Sequence, residues 1–211
     1  MKCILLANGE YGDLALYKAV TAGADCVICA DGGANYAYQL GLTPDYIVGD
    51  MDSIEPEVSA HFAGSGTVLK KYPRSKDFTD TQLAFSLAQD LGAREIILLG
   101  TLGGRPDHAM ANLYAGLTAA ERGIKVIHYT PQCRVYLLHG QLTLQGSPGD
   151  LVSVLALTER ATGVYETGFA YPLNNVVLEM NNPFAVSNIM SASQAEIRVK
   201  QGILLVFHYF S

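Results

Sequence analysis

Three aspartates stand immediately after short apolar runs. Asp31 follows Cys26–Ala30, and Asp50 and Asp52 follow Tyr46–Val48. The first run stops at Asp31-Gly32-Gly33-Ala34-Asn35 and the second at Gly49-Asp50-Met51-Asp52-Ser53. In an open parallel sheet, ligands bind in the crevice at the carboxyl ends of the strands. Two acidic turns after successive strand-like runs would line that edge with carboxylates. Such groups repel one another unless something cationic sits between them. Mg²⁺ suits the place, since it takes oxygen ligands and keeps phosphate oxygens in its shell. Asp50 and Asp52, two apart, would share one side of an extended segment, although Asp and Ser also make ordinary turns.

Two further stretches could handle an anion. Lys76-Asp77-Phe78-Thr79-Asp80-Thr81-Gln82 opens the clearest helical pattern, in which Leu83, Leu87 and Leu91 form one face. Thr79 and Gln82 fit a capping box, and Asp80 suits the first turn. Lys70, Lys71, Arg74 and Lys76 crowd in just before it, and basic groups beside acids at a helix start suit an anion-plus-metal site. Gly100-Thr101-Leu102-Gly103-Gly104-Arg105-Pro106-Asp107-His108 follows an apolar run and opens another helix. Its glycines allow close backbone approach, and Arg105 could hold a phosphate oxygen in a forked grip. It matches neither the dinucleotide fingerprint nor the P-loop. His108 could be an acid-base group or a hydrogen-bonding anchor. Asn8-Gly9 ends the first apolar run on the same edge. Ser187-Asn188 lies between apolar residues, where polar groups need partners.

Strand-like and helical stretches alternate from Lys2 to Tyr129, which predicts an α/β domain with a parallel sheet over residues 1–131. Helices are expected over 14–22, 33–40, 56–62, 79–91 and 107–122. After Thr130-Pro131 short apolar runs at regular spacing, separated by turn residues, predict an antiparallel β-sandwich or barrel over 132–211. The 211 residues are 49% hydrophobic and 16% charged, which suits a packed core. A net charge of −6 argues against a nucleic-acid binder, which needs a basic face, and no run is long enough to span a membrane. A cytoplasmic protein is expected. Cys26 and Cys29 have C-x-x-C spacing, but three residues apart on a strand they point to opposite faces and read as core.

Taken in order, the Asp31–Asn35, Gly49–Ser53, Asp77–Asp80 and Gly103–His108 motifs resemble thiamin pyrophosphokinase, and Ser187-Asn188 resembles that family's C-terminal Ser-Asn element. The resemblance implies an α/β domain followed by a β-sandwich, in a homodimer with thiamin bound between subunits. It implies Mg²⁺-dependent transfer of a pyrophosphoryl group from ATP to the thiamin hydroxyl, releasing AMP. Asp50, Asp52 and Asp80 match metal positions, and Asp52, Asp80, Arg105 and Asp107 catalytic ones. The nucleotide would meet Asn8, Asp31, Gly32, Gly33 and Asn35, then Arg74 and Lys76, then Gly103, Gly104, Arg105 and His108. Asp77, Thr79, Ser187 and Asn188 fall to the acceptor. The chain has no Trp, so an aromatic wall against thiamin must be Tyr or Phe, and Ile189 stands where the family often has Glu. The alternatives are a pyrophosphokinase for another heterocyclic alcohol, such as a hydroxymethylpterin, and a non-catalytic nucleotide sensor.

Overall fold

Runs of four or five residues with little polar interruption make strands that can be buried on both faces, and such strands suit a parallel sheet covered by helices. A computed structural model describes residues 1–210. The chain divides into two units, the first Met1–Gly116 with His128–Pro131, the second Leu117–Ile127 with the chain from Gln132 onward.

The first unit begins with β1 (Lys2–Leu6), a 3₁₀ turn at Leu14–Tyr17, α1 (Lys18–Thr21) and β2 (Cys26–Ala30). There follow α2 (Gly33–Gln39), β3 (Tyr46–Gly49), α3 (Pro56–Ala63), β4 (Val68–Lys71), α4 (Asp80–Asp90), β5 (Glu95–Leu99) and α5 (Pro106–Ala115). The strands pair in parallel in the order β5-β1-β2-β3-β4. The chain steps outward from β1 to β4 and then returns to place β5 on the other side of β1. The reversal point is therefore the β1–β5 boundary.

Two helical expectations need correction. The run 14–22 forms only a 3₁₀ turn, capped by Asp13 accepting from Ala15 N at 2.9 Å, and a single turn of α1. The helix expected over 107–122 is interrupted at Gly116, after which α6 (Leu117–Glu121) starts anew. A glycine in a helix interior costs about 1 kcal/mol relative to alanine. On α4 the buried stripe is Thr81, Ala84, Phe85 and Ala88 rather than the leucines. Small side chains bring that helix close to the sheet and leave Leu83 and Leu87 half-buried. Cys26 lies opposite Cys3 of β1, and all four cysteines are buried and outside any disulfide.

β6 (Lys125–Tyr129) straddles the division between the units. The second unit continues with β7 (Cys133–Leu138), β8 (Gln141–Gln145), β9 (Leu151–Ala156) and β10 (Arg160–Thr167). It ends with β11 (Leu173–Glu179), β12 (Asn188–Ile189), β13 (Gln194–Arg198) and β14 (Leu204–Tyr209). One antiparallel set runs β12-β9-β14-β7, the other β11-β10-β13-β8. Val152 and Val154 from the first set and Ala161, Val164 and Ile197 from the second share one core, so the unit is a sandwich. β10, the longest strand, was not expected. Its register shifts on either side of Val164, and Gly163 has φ 65°, so the alternation that marks a strand in sequence is broken.

Candidate active site

A cleft of about 670 Å³ opens at the carboxyl ends of the first unit's strands. Its wall comes from the turns after β1, β2, β3 and β5 and from the segment joining β4 to α4. At the reversal point the two flanking turns touch. A Cβ on Gly9 would overlap the carbonyl of Gly100, and one on Gly100 the ring of Tyr11. The buried Tyr11 hydroxyl lies 2.9 Å from Ala7 O and 3.1 Å from Leu99 O, joining the ends of β1 and β5.

Asp31, Asp50 and Asp52 converge here, each offering an oxygen, with these atoms all within 4.8 Å of one another. The backbone bends unusually to bring them together. Asp31 has φ 45°, Met51 φ 69° and Gly49 φ 150°, conformations that residues with a Cβ seldom adopt. Gly49 is required by space as well, since a Cβ would press on Asp31 Cβ at 2.9 Å and Asp80 Oδ1 at 3.0 Å. Asp31 is buried, and its Oδ1 has no hydrogen-bond partner. Burial first, then the charges of Asp80 and Asp50, push its carboxyl above the ordinary range. A buried oxygen without a donor, beside two more carboxylates, is a donor set suited to a hard divalent cation.

Cations face this set. Arg74 reaches Asp52 at 2.8 Å, and Lys76 reaches Asp80 at 2.8 Å. The Asp80 carboxylate, followed by Asp50 and Asp31, holds the Lys76 ammonium above its usual range, so it stays charged. Across the cleft Arg105 grips Asp107 with both prongs of its guanidinium, at 3.2 and 2.6 Å, and draws that carboxyl down to about 2. Pro106 at the first position of α5 sets the helix start beside it. Thr79 caps α4 in a complete capping box with Gln82, which fixes where Asp80 enters the site.

Most residues singled out in the sequence are brought to the cleft. Asn8, Asp31, Asp50 and Asp80 line it, as do Arg74, Lys76 and Thr79, and then Gly103, Gly104, Arg105 and His108. Gly32, Gly33 and Asn35 sit behind the wall. A Cβ on Gly32 would meet the Asn8 side chain at 2.5 Å, and one on Gly33 would overlap Leu6 O, so these glycines let α2 approach β1. Asn35 donates to Ser53 O and accepts from Glu55 N, both at 3.0 Å, and so anchors the acidic turn from outside. Asp52 and Asp107 act at the rim through Arg74 and Arg105. Asp77 is exposed outside the lining. Glu10, Tyr36, Thr101 and Asn112 also line the cleft and were not anticipated. Their only sequence signal is position, just after a strand or one or more turns into a helix.

Ser187 and Asn188 lie in the second unit. Ser187 is exposed with φ 58°. Asn188 is buried, and its Nδ2 donates to Glu166 Oε2 and Tyr171 O, each at 2.8 Å, while its Oδ1 accepts from Tyr171 N and Ile189 N. Glu166 is fully buried in β10, and burial raises its carboxyl to about 7.

An open α/β unit whose crevice sets a carboxylate triad against arginine and lysine is built as a phosphoryl-transfer enzyme. Comparison with known proteins narrows this class. Residues 17–128 match the family described as thiamin pyrophosphokinase, catalytic domain, and residues 140–204 its vitamin B1 binding domain. The chain belongs to the thiamin pyrophosphokinase family. Thiamine pyrophosphokinase 1 of rice (Oryza sativa subsp. japonica) is 27% identical over 199 residues, covering 81% of this chain and 74% of the relative. Thiamine pyrophosphokinase of Bacillus subtilis (strain 168) is 26% identical over 181 residues, covering 85% of each. The crystal structure of the Bacillus subtilis enzyme has the same fold, with a TM-score of 0.89 over 100% of both chains at 22% identity.

Proposed function

We propose that this chain transfers a pyrophosphoryl group from ATP to the hydroxyl of thiamin, giving thiamin diphosphate and AMP. The observation that carries this is one cleft in which Asp31 and Asp50, with Asp52 at the rim, face Arg74, Lys76 and Arg105. The reacting phosphates are anionic, and such transfers depend on positioning and charge stabilisation more than on covalent help. Asp31, Asp50 and Asp52, with Asp80 adjoining, would hold Mg²⁺, because Asp31 Oδ1 is buried without a donor. Bound there, the ion would offset phosphate charge and act as a Lewis acid.

The chain's own groups do the rest. Lys76 and Arg74 supply positive charge beside the carboxylates, and Arg105 offers a planar fork to phosphate oxygens. Asp107 positions Arg105 at the rim. Gly103 and Gly104, at φ 112° and 65°, keep that turn free of side chains, so backbone can approach the phosphates. Asn8 and His108 contact the nucleotide. Asp80 or Asp107 accepts the hydroxyl proton. No enzyme-bound phosphoryl intermediate forms.

Residues 1–131 carry nucleotide and metal, and residues 132–211 bind thiamin at the Ser187-Asn188 element, where Ser187 is exposed and Asn188 braces the turn through Glu166 and Tyr171. The exposed Tyr171, Val186 and Ile189 near that element support a homodimer formed through this unit. Among the described residues no helix is long and apolar enough to cross a membrane. Buried cysteines outside any disulfide and dependence on ATP fit a cytoplasmic setting.

The test is AMP release from ATP and Mg²⁺ with and without thiamin. AMP that appears only with thiamin, matched by thiamin diphosphate, is expected. AMP formed with a hydroxymethylpterin and not with thiamin would replace the acceptor, and ATP binding without AMP from any acceptor would refute catalysis.

A further inference from the structure

The turn after β5 is held by a buried hydrogen-bond chain with no part in the reaction described above. Thr101 Oγ1 lies 2.7 Å from Nδ1 of His128, a fully buried histidine on β6. The Thr101 carbonyl accepts from Asn112 Nδ2 at 2.8 Å. Nε2 of His128 has no partner. Thr101 and Asn112 both line the cleft, Thr101 from the turn between Gly100 and Gly103 and Asn112 from α5.

A neutral imidazole has one N–H and one bare nitrogen, and two arrangements fit the 2.7 Å contact. In one, the Thr101 hydroxyl donates to Nδ1, and the ring proton sits on Nε2, buried with nothing to accept it. In the other, Nδ1–H donates to Thr101 Oγ1, and the atom left without a partner is the Nε2 lone pair. Orphaned buried N–H groups are rarer than under-satisfied acceptors, so the second arrangement is favoured. Burial lowers the His128 ring to about 3, so the doubly protonated form does not compete. In the favoured arrangement the hydroxyl oxygen of Thr101 receives a hydrogen bond from the core, and its own proton remains free.

We propose that Thr101 binds an anionic oxygen of the nucleotide through its hydroxyl proton, and that His128 is the positioning residue that frees this proton by donating from Nδ1. The proposal rests on the nucleotide reading of the cleft and adds a side-chain donor to the turn that carries Arg105. Tyr11 and Asn112 hold the backbone on either side of the donor, through Leu99 O and Thr101 O.

Two measurements test it. In ¹⁵N-labelled wild-type protein, nitrogen shifts of His128 report which ring atom carries the proton. Nδ1–H is expected, and Nε2–H would overturn the proposal without any variant being made. The second is calorimetric binding of a non-hydrolysable ATP analogue with Mg²⁺ to wild type, Thr101→Val and Thr101→Ser, each checked for folding by thermal melting. A hydrogen bond to a charged group makes a loss of about tenfold or more the expected effect of Thr101→Val. Thr101→Ser should stay within about threefold, and KM for ATP should rise in the valine variant while KM for thiamin does not. A folded valine variant that binds the analogue as wild type does would sink the proposal while leaving the functional reading intact, provided wild type makes AMP. Wild type that fails to bind the analogue would overturn both.

Discussion

Replacing Asp31 by Asn should make the metal-free protein more stable while removing its response to Mg²⁺. The oxygens of Asp31, Asp50 and Asp52 lie within 4.8 Å of one another. Two unit charges at that distance repel by about 0.9 kcal/mol at the dielectric of water and about 3.5 kcal/mol at an effective value of 20. Asp31 faces these two and Asp80 as well, and Arg74 on Asp52 and Lys76 on Asp80 cancel part of the repulsion. A net gain of about 1–2 kcal/mol follows for the variant, or roughly 2–8 °C in Tm for a chain of this size. Because the carboxyl is raised above 3.8 in the folded protein, ionising it penalises the native state. That penalty is present above the folded pKa and disappears as pH falls below the unfolded value, so the two melting curves should converge in acid. The assay is thermal unfolding of both proteins in EDTA and in Mg²⁺ at several pH values, with AMP formation measured alongside. Wild type should gain stability from Mg²⁺ by mass action, the variant should gain little, and its turnover should fall by about 100-fold or more. An Asp31→Asn variant that melts lower than wild type in EDTA, or that keeps the full Mg²⁺ shift, would refute the reasoning.

Three more outcomes follow from the geometry. Glu166→Gln should flatten the pH dependence of second-unit stability. The native carboxyl holds its proton up to about 7 against 4.5 unfolded, so wild-type stability should decline between those pH values by up to about 3 kcal/mol, as urea titrations at each pH would show. Thr79→Ala removes the capping box of α4 and should cost about 1 kcal/mol, seen as a lower urea midpoint with unchanged slope. Arg105→Lys keeps the charge but loses the two-pronged hold on Asp107. Initial-rate kinetics should show about tenfold or more lost in kcat/KM for ATP, with little change in melting temperature.

The acidic edge was legible because the apolar runs stop where the chain must turn: Asp31, Asp50 and Asp52 could be placed together from that alone. The resemblance to known motifs grouped Asp50 and Asp52 with Asp80 instead. The structure puts Asp80 on Lys76 beside the triad, so both groupings describe one neighbourhood. The cap at Thr79 was readable because its partner is three residues away. Asn35 was harder, since its task is to tie α2 to Ser53 and Glu55 about twenty residues on, and no local spacing marks that. The Thr101–His128 contact spans 27 residues and brings a cleft residue against a core histidine that has no motif of its own. β10 escaped for the opposite reason, because its bulges destroy the periodicity by which strands are recognised.

Features that weaken a fold on their own account gather at one edge of the first unit. Two non-glycine residues with positive φ, three mutually repelling carboxylates and a buried oxygen without a donor all fall within the turns after β2 and β3. Held conformations of this kind persist only where the surroundings over-determine them. Here the surroundings are specific: Asn35 on the acidic turn, Gly32 and Gly33 letting α2 press on β1, and Tyr11 joining β1 to β5. The cations that offset the triad's charge come from the other wall, from Arg74 and Lys76 between β4 and α4. A site that served only packing would gain from losing a carboxylate and gain nothing from a cation. The opposing demands on Asp31, unfavourable in the empty site and necessary in the filled one, are what a cleft made to bind metal and phosphate together requires.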